Sequence, residues 1–102
     1  MTGYTQHAKQ TRKERLTQIT SILDALIEDS SVPRNVRARM IDARAKLSGE
    51  EAESDLATAL SSAIYALDEI SNDINLPTHA RTMIWNLLSE LEGLKQEVIQ
   101  ET

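Results

Sequence analysis

The sequence predicts an all-α fold: a four-helix up-and-down bundle built from two copies of one helical hairpin. Three observations carry this. The chain repeats itself without gaps at the offset that takes Pro33 to Pro77, 44 residues. Apolar residues recur at spacings of three and four, the period of an amphipathic helix. The segments between the apolar stripes are short, roughly three to seven residues, which favours antiparallel packing of neighbours.

The repeat is clearest where Asp29-Ser-Ser-Val-Pro-Arg-Asn-Val-Arg37 is matched by Asp73-Ile-Asn-Leu-Pro-Thr-His-Ala-Arg81. At the same offset Leu16 pairs with Leu60, Leu23 with Leu67, Asp24 with Asp68, Leu47 with Leu91 and Gly49 with Gly93. Repeat one is therefore 16–49 and repeat two 60–93. A two-repeat stack resembling a HEAT solenoid is the alternative architecture, but stacks of that kind usually need three or more repeats.

In the first helix Leu16, Ile19, Leu23, Leu26 and Ile27 form one stripe that ends near Asp29. Pro33, with fixed φ and no N–H, suits the first turn of the next helix. Val36, Met40, Ala43 and Leu47 form the second stripe, and Gly49 reads as its left-handed stop. Ser48 and Glu51 have the spacing of a capping box for the third helix. That helix carries Leu56, Leu60, Ala63, Ile64, Leu67 and Ile70. The fourth begins at Pro77 and carries Ala80, Met83, Ile84, Leu87, Leu88, Leu91, Leu94 and Val98, a rhythm that passes straight through Gly93. Residues 1–14 have no apolar period and read as a flexible arm, which leaves 15–102 as a single four-helix domain.

Composition agrees with one domain. At 102 residues there is room for one core, and aromatics are only 3%, so aliphatic side chains must fill it. The absence of cysteine removes disulfides, thiolate metal sites and cysteine nucleophiles. Neither a signal peptide nor a membrane-spanning run is visible, so a cytoplasmic location is expected. Charge is uneven. Residues 1–47 hold nine Lys/Arg against five Asp/Glu, a balance of +4, and residues 48–102 hold two against eleven, a balance of −9. Such opposition favours docking of the halves on each other or their pairing between chains, and less often marks a basic nucleic-acid surface.

The segment Leu67-Asp-Glu-Ile-Ser-Asn-Asp-Ile-Asn-Leu-Pro-Thr-His-Ala-Arg-Thr-Met-Ile-Trp85, with Val32-Pro-Arg-Asn-Val-Arg37, resembles a small archaeal family of uncharacterised proteins, the UPF0147 family. The likeness runs from about residue 16 to 93. It implies a small four-helix protein of archaeal, cytoplasmic origin and carries no assigned activity. The family pattern has Pro at the position of Ile74 and Met at that of Leu76; this sequence departs at both, which argues against a chemical role for those side chains.

Candidate site residues gather in the repeated loops: Asp29, Pro33 and Arg37 in the first, and Asp73, Asn75, Pro77, His79, Arg81 and Trp85 in and after the second. The structural reading makes each Asp–Arg pair a loop clamp, the carboxylate accepting from N–H groups that open the next helix and the Arg reaching back. The functional reading makes Asp73, Asn75, His79 and Arg81 a polar pocket beside Trp85, for a small ligand or an enzymatic site, since only the second copy has His and Trp. Trp85 aligns with Ile41, so both copies place a large residue there; a buried seam between the repeats is expected, with a partner or ligand groove as the alternative.

No Glu-x-x-His tetrad, His-Glu-x-x-His, Gly-rich phosphate loop or Gly-x-Ser-x-Gly occurs, so no cofactor, metal or catalytic residue is assigned. Arg34, Arg37 and Arg44 share one face, but the overall charge of −5 and the lack of stacking aromatics disfavour nucleic acid as the partner. The expectation is a non-enzymatic interaction or scaffold module that contacts a protein partner, or a second copy of itself, through the surface left over by the bundle.

Overall fold

The computed structural model describes residues 10–101. Its helices are α1 (Arg12–Ile27), α2 (Arg34–Lys46), α3 (Glu50–Ser54), α4 (Leu56–Ser71) and α5 (Thr78–Gln100), and no strand occurs among the described residues. Among the described residues the fold is all-α, with four long helices and one single turn. Helix α1 starts earlier than the missing apolar period suggested. Thr11 and Glu14 close a capping box, in which the Thr11 hydroxyl accepts from the Glu14 N–H at 3.0 Å and the Glu14 carboxylate accepts from the Thr11 N–H at 2.8 Å. Two orphan donors are thereby satisfied, so local hydrogen bonding extends the helix into the stretch read as an arm. Residues 1–9 of that stretch lie outside the described residues.

Helix α4 packs along α5 on one side and α2 on the other, while α1 contacts α2 and α5. Their apolar stripes meet in one core. Burial respects the repeat: Leu23 and Leu67, Leu26 and Ile70, Val32 and Leu76, Val36 and Ala80, Met40 and Ile84, Ala43 and Leu87, and Leu47 and Leu91 are all buried. Helix α5 runs unbroken through Gly93, as the rhythm requires. A Cβ added there meets nothing closer than Arg15 Nη2 at 3.7 Å, an ordinary contact. Gly93→Ala is therefore expected to stabilise the protein by about 0.5 to 1 kcal/mol, read as a higher melting temperature.

The joint between α2 and α4 differs from the sequence expectation. Gly49 is not left-handed, with φ −92°, and Leu47 ends α2 in a right-handed conformation. The Leu47 side chain is drawn into the core, and the chain leaves through tight turns in which the Leu47 and Ser48 N–H groups donate to the carbonyls of Arg44 and Ala45. Ser48 does not cap the following helix, because its hydroxyl accepts from Arg44 Nη1 at 3.3 Å. Asp55 caps α4 instead, its carboxylate accepting from the Thr58 N–H at 3.2 Å and the Thr58 hydroxyl at 2.8 Å. Those bonds favour the ionised carboxylate and hold its pKa below 3.8. The single turn α3 fills the gap between these ends.

The oppositely charged halves do dock. Arg12 pairs with Glu101, Arg15 with Glu97 at 2.5 Å and Arg39 with Asp73 at 3.0 Å, each bridge joining the basic half to the acidic one. Exposed pairs of this kind contribute only about 0 to 1 kcal/mol each, so they set register more than stability.

Candidate functional site

The two loops are built alike. In each, the Asp N–H donates to a carbonyl at the end of the preceding helix, Leu26 at 3.2 Å and Ile70 at 3.0 Å. The Asp carboxylate then turns back to its own loop, Asp29 Oδ1 accepting from the Ser31 N–H at 2.9 Å and Asp73 Oδ1 from the Asn75 N–H at 2.8 Å. This Asx turn differs from the clamp expected from the sequence, since the carboxylates cap the loop and not the next helix. The apolar residue before each proline, Val32 or Leu76, is buried as a plug. Pro33 and Pro77 sit at the N-cap, one residue ahead of the first turn, because their ψ of 146° and 149° is extended.

The arginines reach back as expected, but to main-chain carbonyls. Arg37 Nε donates to the Val32 carbonyl at 3.0 Å; Arg81 donates to those of Ser71 at 2.9 Å and Asp73 at 2.8 Å. Carbonyls at a helix end have no intrahelical donor, and a half-buried guanidinium supplies several N–H groups at once. Arg81 is thus committed to holding the second loop.

The loops also clasp each other. His79 Nε2 lies 2.7 Å from Asp29 Oδ2, Ser31 Oγ donates to Asp29 Oδ1 at 2.6 Å, and Arg39 Nη1 donates to Asp73 Oδ2. Although Asp, His and Ser converge, their order does not make a nucleophile. A hydrolytic triad needs the carboxylate on one ring nitrogen and the hydroxyl on the other. Here Nε2 faces both, with Ser31 Oγ at 3.5 Å, and the hydroxyl proton is given to the carboxylate. The arrangement holds two loops together, and it uses Ser31 and Arg39, neither of which stands out in the sequence.

Asp29 is held down to about 2 from its ordinary 3.8, first by the hydrogen bond with His79 and then by those from Ser31. A carboxyl depressed by folding contributes stability that is fully present above pH 3.8 and is lost as pH falls toward 2. The wild-type urea midpoint is accordingly expected to drop over that acid window more steeply than that of Asp29→Asn, and parallel profiles of the two proteins would contradict the clasp.

Trp85 does not form the seam expected from the repeat. It is 55% exposed, and its counterpart Ile41 is 51% exposed, so both stand on the outer faces of their hairpins. The side chains one position earlier, Met40 and Ile84, are buried in the core instead. The hydrogen bonds of Asp73, Asn75, His79 and Arg81 go to Arg39, the loop backbone and Asp29. A cavity of about 330 Å³ at the opposite end of the helices, lined by residues such as Leu16, Leu47 and Leu56, contains none of the candidates. Among the described residues no cluster of three or more His, Asp or Glu side chains is placed to hold a metal ion.

Comparison with known proteins decides the family. The model of the uncharacterised protein family UPF0147 matches residues 3–94. The chain belongs to the UPF0147 family. UPF0147 protein MJ1419 of Methanocaldococcus jannaschii is 43% identical over 88 residues, covering 86% of this chain and 92% of its own. The UPF0147 protein of Archaeoglobus fulgidus is 42% identical over 85 residues, covering 83% and 94%. Among solved structures, the crystal structure of a protein of unknown function, MMP1188, superposes with a TM-score of 0.76 at 43% identity, covering 82% of this UPF0147 chain and 93% of that one. These relatives confirm the resemblance seen in the repeated loops and, like it, carry no assigned activity. No described helix of this UPF0147 protein is long and apolar enough to cross a membrane.

Proposed function

We propose that the chain is a non-enzymatic protein-interaction module of the cytoplasm, made of two copies of one hairpin in an up-and-down bundle, with its contact face on the outside of α4 and α5. The carrying observation is Trp85: the largest apolar side chain of the protein is more than half exposed on a rigid helix. An exposed tryptophan is the residue type most enriched at binding hot spots, and a helix presents it at little entropic cost. The polar candidates support the same reading from the other side, since Asp29, Asp73, His79 and Arg81 already have partners within the protein. The duplication is supported by the seven buried pairs named above and by the twin Asx turns.

The basic-half reading, in which Lys9, Arg12, Lys13, Arg15, Arg34, Arg37, Arg39, Arg44 and Lys46 supply the cations for nucleic acid, is disfavoured because four of them, Arg12, Arg15, Arg39 and Arg44, are paired with Glu101, Glu97, Asp73 and Asp24. The test is capture of partners from native lysate by immobilised wild-type and Trp85→Ala protein, with the solution mass of each measured in parallel. Partners, or a second copy, are expected with the wild type and lost with the variant; equal capture by both would overturn the proposal.

A further inference from the structure

The first hairpin contains an ion pair whose counterpart in the second is missing one member. Arg44 on α2 forks onto Asp24 on α1, Nε to Oδ1 at 2.6 Å and Nη2 to Oδ2 at 3.3 Å. At the repeat offset Asp24 becomes Asp68, but Arg44 becomes Leu88. Asp68 is exposed, and among the described residues its carboxylate has no ion-pair partner. Its position follows from the fold. Arg81 of α5 touches the carbonyl of Ser71 at the end of α4. With the helices side by side and rising equally per residue, Asp68, three residues before Ser71, is level with Ile84 and Trp85, three and four beyond Arg81. Leu88 lies one turn past Trp85 on the same side of α5, and Glu92 one turn further.

Charge points the same way. Three bridges between the halves each remove one cation from the first and one carboxylate from the second. The first half thus falls from +4 to +1, while the second still keeps −6. An exposed indole at the level of an unmatched carboxylate on the neighbouring helix, in the acidic half of the chain, is complementary to a guanidinium, which pairs with the carboxylate through its planar fork and stacks on the ring.

We propose that the face formed by Asp68 and Trp85 receives an arginine side chain from a basic, arginine-bearing polypeptide segment. That arginine occupies in the second hairpin the place Arg44 fills in the first. The inference rests on the reading of the α4–α5 outer face as the contact surface and names its partner.

Trp85 is the only tryptophan, so its emission reports occupancy directly. The probes are a capped peptide of alternating arginine and glycine and its lysine and citrulline counterparts. The arginine peptide is expected to shift Trp85 emission saturably, the lysine peptide to bind about tenfold more weakly or worse, and the citrulline peptide not to bind. Asp68→Asn is expected to lose about tenfold or more in affinity. Leu88→Arg, which restores the first hairpin's pair from within the chain, should lose as much. Glu50→Gln on α3 removes the same charge elsewhere and is expected to stay within about twofold of wild type.

Asp68→Asn binding as wild type does, or Glu50→Gln falling as far as Asp68→Asn, would overturn the proposal, as would equal binding of the citrulline peptide. A mass that doubles on concentration while Trp85 becomes protected would identify a second copy as the occupant and also overturn it. If Trp85→Ala loses its natural partners while folded Asp68→Asn and Leu88→Arg retain them, the contact face stands and the arginine falls. If Trp85→Ala retains them too, both fall.

Discussion

Leu67→Ala is expected to cost about 3 to 5 kcal/mol, read as a lower urea midpoint at unchanged slope. Leu67 is fully buried on α4, between α2 and α5. Truncation loses the transfer energy of the side chain and leaves a cavity among neighbours held by three helices, so collapse is limited. A domain of this size is stable by only about 5 to 15 kcal/mol, so the change removes a large fraction of the total. Leu23→Ala at the matching position of the first hairpin is expected to cost a comparable amount, because Leu23 is equally buried. A loss below about 1 kcal/mol in either variant would mean that the two positions do not share one packed core.

Trp85→Ala is expected to behave in the opposite way, with folding nearly unchanged and partner capture abolished. A buried tryptophan truncated to alanine typically costs about 3 to 5 kcal/mol, but a ring that is 55% exposed has much less to lose. A cost under about 1 kcal/mol is expected from denaturation. Together with complete loss of capture this separates a contact residue from a seam residue, and a cost of the size expected for Leu67→Ala would show that the indole is packed in the core.

Much of the fold was legible in the sequence because helix periodicity and an internal repeat are both regular signals. The apolar stripes of α2, α4 and α5 gave the core residues directly, and the uninterrupted rhythm past Gly93 gave the length of α5. What was not legible came from competition between local partners. Gly49 resembles a helix stop in sequence, yet burial of Leu47 and the Arg44–Ser48 bond end α2 without a left-handed residue. The box at Thr11 and Glu14 lies in a polar stretch that carries no apolar period, so its signature is one of capping and not of an amphipathic stripe.

The site divides in the same way. The Asp and Arg of each loop were visible as repeated identities, but contacts between the hairpins were not, because Arg39 and His79 align with Met83 and Asn35 and so leave no mark in the repeat. Trp85 was misplaced because periodicity locates the edge of a stripe only to within about one residue in a turn of 3.6. Met40 and Ile84 are the buried positions, and Ile41 and Trp85 lie outside the core.

The most direct test uses protein labelled with 5-fluorotryptophan at its single tryptophan, followed by fluorine NMR. One resonance is expected, sensitive to exchange of H₂O for D₂O in the free protein, and displaced or broadened when a captured partner is added. A resonance indifferent to solvent, or unmoved by a partner that demonstrably binds, would contradict the assignment of the α4–α5 face.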